Sequence, residues 1–522
     1  MARTPLLNSF QEMYRLNRWT RREFLKATGA TVAAAAASWP ISGLAASSPA
    51  RIAIVGGGIA GLNAALTLQD AGIASTVFEA SGRVGGRMHS DTTTWANAQT
   101  SEHCGELIDS GHKTILKLAS RFGLKTVDLR AAEPNQSTDT YFFLGKYYPK
   151  SQANADFQAV YNAVHKDATA AGYPTLYNSF NAAGQALDKM SVWDWIESRV
   201  PGGHRSPMGQ LLDVAYNIEY GNVTTEQSSL NLVYLLAYQP VPGNFRIFGA
   251  SDERYHISGG NEQLPQRLAA NLPDVRTGWS LTEIATNANG AFDLSFRSAA
   301  GSVTSTFDRV ILAIPFSVLR TLDYSRAGFD SLKVTAITQL GYGKNAKLQL
   351  QFKQRLWNES GPWGISTGGS YADTGYQNTW DVTRGQDGAT GILVDYTGGG
   401  VPLASFSGQP TSKDAVRLAR TFLKQLEPVF PGITQYWDGL ATLDTPLTNP
   451  YLLGSYSYWK VGQYTSFSGY EKARQPNPTS GKCHFAGEHC STNFQGYMEG
   501  GAEEGARAAN EILGDYKAGI FP

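Results

Sequence analysis

The pattern of apolar and polar positions near residue 50 predicts a strand, a helix and a second strand. The apolar run Ile52–Val55 has the length of a short buried strand, and Ile59–Leu68 carries apolar side chains at helical spacing. A second short strand follows at Thr76–Phe78. The chain between the first strand and the helix is rich in glycine, which indicates a tight turn between them.

Three glycines in this turn, Gly56, Gly58 and Gly61, fit a G-x-G-x-x-G fingerprint. The first makes a tight turn, the second lets the backbone approach a pyrophosphate, and the third lets the helix pack closely on the strand. Glu79, at the end of the second strand, stands where an acid binds a ribose hydroxyl. The segment therefore predicts a dinucleotide site whose phosphates lie at the helix N-terminus.

The apolar pattern takes two other forms further along the chain. Residues 152–238 read mostly as helices, whereas KLQLQFK (347–353) and GILVDYT (391–397) have the composition and alternation of strands. From its pattern alone, KLQLQFK predicts a half-buried strand with a solvated polar face. A short strand at His484–Ala486 precedes a helix predicted from about residue 500 to 513.

Composition and charge exclude several classes of partner. Lys plus Arg and Asp plus Glu both total 44 in 522 residues, so the formal net charge is +0, which argues against nucleic acid or an acidic membrane surface. No stretch in the body of the chain is long and apolar enough to span a bilayer. Three cysteines, Cys104, Cys483 and Cys490, are too few and too scattered for a disulfide framework or a zinc cluster; one pair is the alternative, and we expect buried free thiols.

The N-terminal segment predicts export. TRREFLK (20–26) precedes the Ala-rich run Ala27–Ala37, and small residues around Ala45 and Ala46 suit a cleavage site. This pattern is typical of a twin-arginine signal over residues 1–46 and predicts a periplasmic or secreted mature protein. The alternative is a chance Arg-Arg pair before a low-complexity linker.

Four ordered blocks resemble the flavin-containing amine oxidase family, which includes monoamine, polyamine and L-amino acid oxidases. The blocks read GGGIAGL (56–62), EASGRVGGR (79–87), FAGEH (485–489) and GYMEGGAEEGARAA (496–509). The resemblance implies an α/β fold with a Rossmann-like FAD-binding domain, a mixed-sheet substrate domain and a helical subdomain.

This resemblance divides the chain into alternating segments. We expect FAD-binding parts at residues 50–110, 245–345 and 451–515, a helical substrate domain at 111–240, and the substrate-domain sheet at 346–450. The apolar strand within Asp308–Pro315 and the strand, turn and helix of residues 254–272 then belong to the second FAD-binding part.

Carried over position by position, the resemblance implies a set of FAD-contacting residues. They are Gly56, Gly58, Gly61, Glu79, Ala80, Arg87, Glu488, Tyr497 and Met498. Ser455 stands where animal monoamine oxidases carry the cysteine that binds flavin covalently. We therefore expect FAD to be bound noncovalently.

The resemblance also implies the reacting groups. Lys347 matches a lysine that holds a water against flavin N5, with Lys344 as the alternative register. Tyr456 and Tyr497 match two rings that flank the amine, and simple packing in a core is their alternative role. The implied chemistry is hydride transfer to flavin N5, imine hydrolysis and reoxidation by dioxygen, with no protein nucleophile and no metal.

Three further segments concern the substrate. Residues 101–124, 219–236 and 245–265 resemble exported bacterial L-amino acid oxidases, which predicts L-amino acids as substrates. Several such enzymes bind the carboxylate through an arginine where this chain reads GELI (105–108), with none. Glu106 would instead suit a cationic amine, unless one of the basic residues Arg246, Arg254 and Lys460 binds the carboxylate.

Other functions stay open at this point. A dehydrogenase would share every FAD signal but reduce a quinone or a protein instead of dioxygen. A flavin-binding protein without turnover would tolerate the loss of Lys347, Tyr456 and Tyr497. The expected partners are a small amine and dioxygen, and a homodimer is compatible with the sequence.

Overall fold

The computed structural model describes residues 50–238, 241–400, 406–410 and 412–520. The predicted export signal at residues 1–46 lies outside the described residues. Within these ranges, every helix is too short or too polar to cross a membrane.

A parallel sheet assembled from three distant parts of the chain forms the first layer. Its strands, in spatial order, are Cys483–Phe485, Arg309–Leu312, Ile52–Val55, Thr76–Glu79 and Val275–Thr277. Helix Ile59–Asp70 connects two neighbouring parallel strands, as in a Rossmann-like unit. The predicted strand, helix and second strand are therefore confirmed, and the apolar central strands are buried because both faces of the sheet are covered.

Two further helices pack on this layer. Helix Met498–Lys517 lies so close to the first helix that a Cβ at Gly505 would be 2.0 Å from the carbonyl oxygen of Ala60, so glycine is required there. Helix Lys113–Arg121 joins the same apolar core, although it follows residue 110, where we predicted the first FAD-binding part to end. The domain boundaries themselves stay predictions.

A mixed sheet forms the second layer. Its strands, in spatial order, are Trp437–Asp444, Ala346–Phe352, Gly391–Thr397, Asn378–Asp381, Ser366–Ala372, Thr138–Phe143 and Lys146–Tyr147. Neighbours are antiparallel except for Ser366–Ala372 and Thr138–Phe143, which are parallel. The strand at 138–143 lies in the segment predicted as a helical domain, and its polar first half hid it from the sequence pattern.

The prediction that KLQLQFK has a solvated polar face is wrong. Every residue of the strand Ala346–Phe352 is buried, including Gln349 and Gln351. The Nε2 atom of Gln351 donates to the carbonyl oxygen of Ala96, and that of Gln349 donates to the carbonyl oxygen of Glu102. The polar face is thus covered by residues 96–106, whose carbonyl groups replace water as its partners.

Residues 152–238 are mostly helical, as predicted, and these helices pack against the mixed sheet. They are Lys150–Ala171, Ala182–Asp188, Val192–Arg199, Pro207–Tyr220 and Ser229–Leu236. Their apolar core is continuous with Tyr396 of the mixed sheet and with Tyr497 before the last helix. The helical layer therefore packs directly behind residues that line the cavity described below.

Smaller elements complete the described chain. A four-stranded sheet contains Gly301–Phe307, Phe292–Ser298, Ser280–Thr286 and Asp323–Arg326. Strand pairs join Ser90–Asp91 to Ser101–Glu102, Thr126–Asp128 to Tyr255–Ile257, and Gly341–Tyr342 to Ser457–Tyr458. Further helices are Gln263–Ala270, Phe316–Leu319, Ser331–Gln339, Lys413–Leu426 and Gln463–Phe467, so the predicted strand, turn and helix within residues 254–272 are confirmed.

Candidate functional site

A cavity of about 1060 Å³ is lined by residues from both the parallel and the mixed sheet. This volume lies slightly above the usual range of ligand pockets, ~300–1000 Å³, and suits a ligand as large as a dinucleotide. The predicted site residues that line it are Gly56, Gly58, Glu79, Ala80, Arg87, Lys347, Tyr456, Glu488, Tyr497 and Met498. Gly61 and the alternative lysine Lys344 do not line it, and Lys344 is exposed.

The three glycines of the first turn have different local roles. Gly56 has a φ of +110°, and a Cβ there would lie 2.5 Å from the carbonyl oxygen of Ala313. A Cβ at Gly61 would lie 1.9 Å from the carbonyl oxygen of Gly56, so this glycine lets the helix approach the strand. A Cβ at Gly58 would meet only the carbonyl oxygen of Gly85, at 4.0 Å, because this position opens into the cavity.

Two helix N-termini meet at the cavity. Gly58 precedes helix Ile59–Asp70 and Tyr497 precedes helix Met498–Lys517, and neither N-terminus is capped by a side chain. Uncapped first-turn N–H groups and the positive end of the helix dipole favour an anion. The arrangement therefore fits the pyrophosphate of a dinucleotide.

Glu79 lines the cavity but already has protein partners. Its Oε2 accepts a hydrogen bond from the Gly57 N–H at 2.8 Å, and its Oε1 accepts from the N–H and hydroxyl of Ser81. Each carboxylate oxygen has two lone pairs, so capacity for a ribose hydroxyl remains. Glu79 thus also fixes the glycine turn, a role that the sequence interpretation omitted.

Arg87 and Glu488 form an ion pair, with 2.9 Å between Nη1 and Oε1. Glu488 also accepts hydrogen bonds from the N–H and hydroxyl of Ser457 and from the Gly496 N–H. Burial disfavours the charge of Arg87, but Glu488 outweighs burial and raises the pKa of Arg87. Burial likewise disfavours the Glu488 carboxylate, but Arg87 and the hydrogen bonds lower its pKa to about 2.

Lys347 is bound on the cavity wall by two acceptors from the segment opposite. Its Nζ lies 2.7 Å from Oε2 of Glu106 and 3.1 Å from the carbonyl oxygen of Glu102. The other carboxylate oxygen of Glu106 accepts from Trp380 Nε1 at 2.8 Å. Burial alone would raise the pKa of Glu106, but Lys347 outweighs burial, so the pKa is lowered and the carboxylate is charged.

Aromatic side chains form the wall beside Lys347. The hydroxyl of Tyr456 lies 3.1 Å from that of Tyr396 and donates to the carbonyl oxygen of Ile218. The ring of Tyr396 packs on Trp380 with 5.2 Å between centroids, and Tyr497 contacts His112 edge-on. Burial raises the pKa of Tyr497 and of Tyr396, so both phenols are neutral.

Tyr396 and Trp380 line the cavity but escaped the sequence interpretation. Tyr396 lies directly opposite Lys347 in the antiparallel pairing of their strands, and Trp380 lies opposite Val394. Residues 394 and 396 point to the same face of the strand, which brings all three cavity side chains together. Only the register between the strands could have revealed this grouping, because the alternation within GILVDYT (391–397) does not indicate which residues of the neighbouring strands lie opposite.

The basic residues suggested as carboxylate partners lie outside the cavity. Arg246, Arg254 and Lys460 are not among its lining residues, and Arg254 is paired with Asp128 at 2.7 Å. Among described residues, the lysines and arginines that line it are Arg83, Arg87, Arg297 and Lys347. Arg83 donates to three backbone carbonyl groups of its own loop, so it helps to shape residues 83–88.

The cysteines are free thiols, as expected. Cys483 and Cys490 are buried, but Cys104 is only partly buried and lines the cavity, which corrects the expectation of burial for that residue. The surroundings of Cys104, chiefly their desolvation, raise its pKa to about 11. Its thiol is therefore neutral near pH 7.

Comparison with known proteins gives one consistent family. The family model described as flavin containing amine oxidoreductase matches residues 59–513. A flavin-containing amine oxidase of Danio rerio is 25% identical over 491 residues, which cover 88% of this chain and 85% of that protein. An L-amino-acid oxidase of Mus musculus is 25% identical over 501 residues, which cover 91% and 72%.

Solved structures share the fold. Cyclohexylamine oxidase from Brevibacterium oxydans IH-35A has a TM-score of 0.74 and 22% identity, over 90% of this chain and 100% of that one. The similarity extends over the parallel sheet, the mixed sheet and the helices, so the predicted two-domain architecture of flavin amine oxidases is confirmed.

Proposed function

The chain belongs to the flavin containing amine oxidoreductase family, and we propose that it is an FAD-dependent oxidase of L-amino acids that releases a 2-oxo acid, ammonia and hydrogen peroxide. The observation that carries the proposal is that one cavity is lined both by the glycine turn at Gly56 and Gly58 and by Lys347, Tyr456 and Tyr497. A dinucleotide bound at the turn can therefore extend to the lysine and the two rings within a continuous space.

When bound, FAD supplies the acceptor for a hydride from the carbon that bears the amine. The glycine turn and the two helix N-termini bind and orient its phosphates, and the Arg87–Glu488 pair fixes the loop beside them. Tyr456 and Tyr497 exclude water from the reacting carbon and offer π faces to nitrogen. A desolvated site also disfavours the charged form of the amine, and the neutral amine is the reactive form.

We further propose that FAD is held without a covalent bond. Ser455 lines the cavity and its hydroxyl donates to Oδ1 of Asn345 at 2.6 Å, so this side chain is a hydrogen-bonded alcohol. Acid precipitation of the yellow protein should release all flavin to the supernatant. Flavin retained by the precipitate would contradict noncovalent binding.

The proposal of L-amino acids rests on the resemblance of residues 101–124, 219–236 and 245–265 to exported bacterial L-amino acid oxidases. The similarity to the Mus musculus L-amino-acid oxidase over 91% of this chain also supports it. Export by the twin-arginine signal stays part of the proposal, since that route carries proteins with their cofactor already bound.

A specific observation favours a second candidate, an amine without a carboxylate. Lys347, on the wall beside the aromatic rings, is already paired with Glu106, and Arg87, which also lines the cavity, is already paired with Glu488. A substrate carboxylate buried there without a cationic partner would lose hydration without compensation. The related cyclohexylamine oxidase is named for an amine of this second class.

One experiment separates the candidates. Hydrogen peroxide release by the purified protein is measured with the twenty L-amino acids, several D-amino acids, putrescine, spermidine and benzylamine. Peroxide from L-amino acids alone supports the first proposal, and peroxide from the carboxylate-free amines alone replaces it with the second. Flavin reduction by an amine without oxygen consumption would identify a dehydrogenase that uses another acceptor.

A further inference from the structure

Glu106 is an acidic residue on the wall of the cavity, yet both oxygens of its carboxylate already have protein partners. Oε2 binds the Lys347 ammonium at 2.7 Å and Oε1 binds the Trp380 indole N–H at 2.8 Å. The side chains of Lys347 and Glu106 are 5% and 6% exposed. Little of either charge is therefore available to water or to a ligand.

The charges of this pair depend on each other. A buried ammonium or carboxylate without a partner carries a large desolvation cost, and removing one partner of a buried pair leaves the other uncompensated. Lys347 is what lowers the pKa of Glu106 against the effect of burial. The ammonium also donates to the carbonyl oxygen of Glu102, so two acceptors from one segment fix its position.

The same pair is continuous with the aromatic wall. Trp380 donates to Glu106 and packs on Tyr396 with 5.2 Å between ring centroids. Tyr396 lies opposite Lys347 across the strand pair, and its hydroxyl is 3.1 Å from that of Tyr456. A displacement of Glu106 would thus move Lys347 and, through Trp380 and Tyr396, also Tyr456, the ring proposed to contact substrate.

We propose that Glu106 is a positioning residue that holds the Lys347 ammonium at the cavity wall, and that it is not the site that recognises a substrate cation. This inference rests on the proposed function, because it assigns Lys347 to the reacting end of the cavity. It predicts that loss of the carboxylate affects the chemical step more than substrate binding.

The test compares Glu106→Gln with the wild type. The amide keeps the side-chain volume and an acceptor for Trp380 but removes the charge opposite Lys347. We expect the rate of flavin reduction under anaerobic conditions to fall about 10- to 100-fold, as for a misplaced catalytic group, while KM changes less than about twofold. Trp380→Phe keeps the ion pair but removes the hydrogen bond to one carboxylate oxygen of Glu106. This variant should lower the rate of flavin reduction by a smaller factor, and it replaces Glu106→Gln in the test if that variant does not fold.

A double-mutant cycle tests the pairing of Glu106 and Lys347 both by urea unfolding, which needs no activity, and by flavin reduction. Glu106→Gln and Lys347→Met should each lower the midpoint of urea unfolding, and the double variant should recover at least half of the combined loss, because neither charge is then left alone. In a Lys347→Met background, Glu106→Gln should alter flavin reduction less than twofold. Glu133→Gln removes the carboxylate from the Arg384 ion pair outside the cavity and is the matched control, with unchanged kinetics.

Two outcomes would overturn the inference. A rise of more than tenfold in KM for cationic amines, with an unchanged reduction rate in Glu106→Gln, would make Glu106 the substrate-recognising carboxylate. Additive effects of the two substitutions on urea unfolding and on flavin reduction would show that the residues act separately. If no amine reduces the flavin of the wild type, the proposed function fails, while the urea cycle still tests the pair.

Discussion

Arg87 donates from Nη1 to Oε1 of Glu488 at 2.9 Å, although 401 positions separate the two residues in the chain. The pair joins the loop that follows strand Thr76–Glu79 to the segment that follows strand Cys483–Phe485. Glu488 also binds Ser457, and Arg87 donates to the carbonyl oxygen of Ser455. Three chain segments around the proposed FAD site therefore share one pair of charges, of which Glu488 is buried and Arg87 partly buried.

Breaking that pair should lower stability substantially. We expect Glu488→Gln to reduce the free energy of unfolding by about 1.5–3 kcal/mol, because Arg87, whose side chain is 24% exposed, loses a hydrogen bond between charged groups. The measurement is urea unfolding of the purified protein. Asp70→Asn is the control, since the Asp70–Arg121 pair is 48% and 45% exposed and should contribute under ~1 kcal/mol. Equal losses in the two variants would contradict the argument.

The stabilisation by Glu488 should depend on pH in a defined direction. Its pKa is lowered to about 2 in the folded protein, because Arg87 outweighs burial. A carboxyl with a lowered folded pKa stabilises fully above its unfolded value, ~4.3, and the contribution is lost as the pH falls through the folded value. The stability difference between wild type and Glu488→Gln should stay constant above about pH 5 and shrink from about pH 4 towards pH 2. A difference that grows on acidification would exclude this assignment.

Two glycines of the first turn should fail in different ways when replaced by alanine. Gly56→Ala places a methyl group 2.5 Å from a backbone carbonyl oxygen at a φ of +110°, so we expect poor folding of the protein itself. Gly58→Ala meets only open space, so the folded protein should keep its unfolding midpoint yet lose FAD affinity by about tenfold or more, because the methyl group enters the cavity. Thermal unfolding and flavin content after gel filtration distinguish the two. Normal flavin content in Gly58→Ala would place the pyrophosphate elsewhere.

The catalytic efficiency should depend on the aromatic ring of Tyr497 more than on its hydroxyl group. We expect Tyr497→Ala to lower kcat/KM by about tenfold or more, ~1.4 kcal/mol of transition-state stabilisation, and Tyr497→Phe to change it less than about threefold. Steady-state kinetics with the best amine provides the values. Phe122→Leu, at a partly buried position outside the cavity, serves as the control for a general packing effect. Equal losses in the Phe and Ala variants of Tyr497 would assign the effect to the hydroxyl.

The basic residues outside the cavity should not bind the substrate carboxylate. We expect Arg246→Ala, Arg254→Ala and Lys460→Ala to leave KM for any L-amino acid substrate within about twofold, since none of the three lines the cavity. Michaelis constants of the three variants supply the check. A KM raised tenfold or more in one of them would return that residue to the site.

The local parts of the nucleotide site could be predicted from the sequence. The apolar strand Ile52–Val55, the helix from Ile59 and the spacing of Gly56, Gly58 and Gly61 are short-range features, set by backbone sterics and by apolar periodicity. The helices of residues 152–238 were predictable for the same reason. The resemblance to a family then supplied Lys347, Tyr456 and Tyr497, which periodicity alone would have assigned to strands and loops.

Tertiary structure alone decided which charged and aromatic side chains meet. The alternation of the strand with Lys347 by itself predicts a solvated face, but residues 96–106 cover that face and bring Glu106 to the ammonium. Tyr396 reaches Lys347 through strand register, and Arg87 meets Glu488 although two other strands separate Thr76–Glu79 from Cys483–Phe485 in the parallel sheet. The sequence by itself determined elements and turns, because these depend on neighbours in the chain, whereas burial and pairing of charges depend on residues hundreds of positions away.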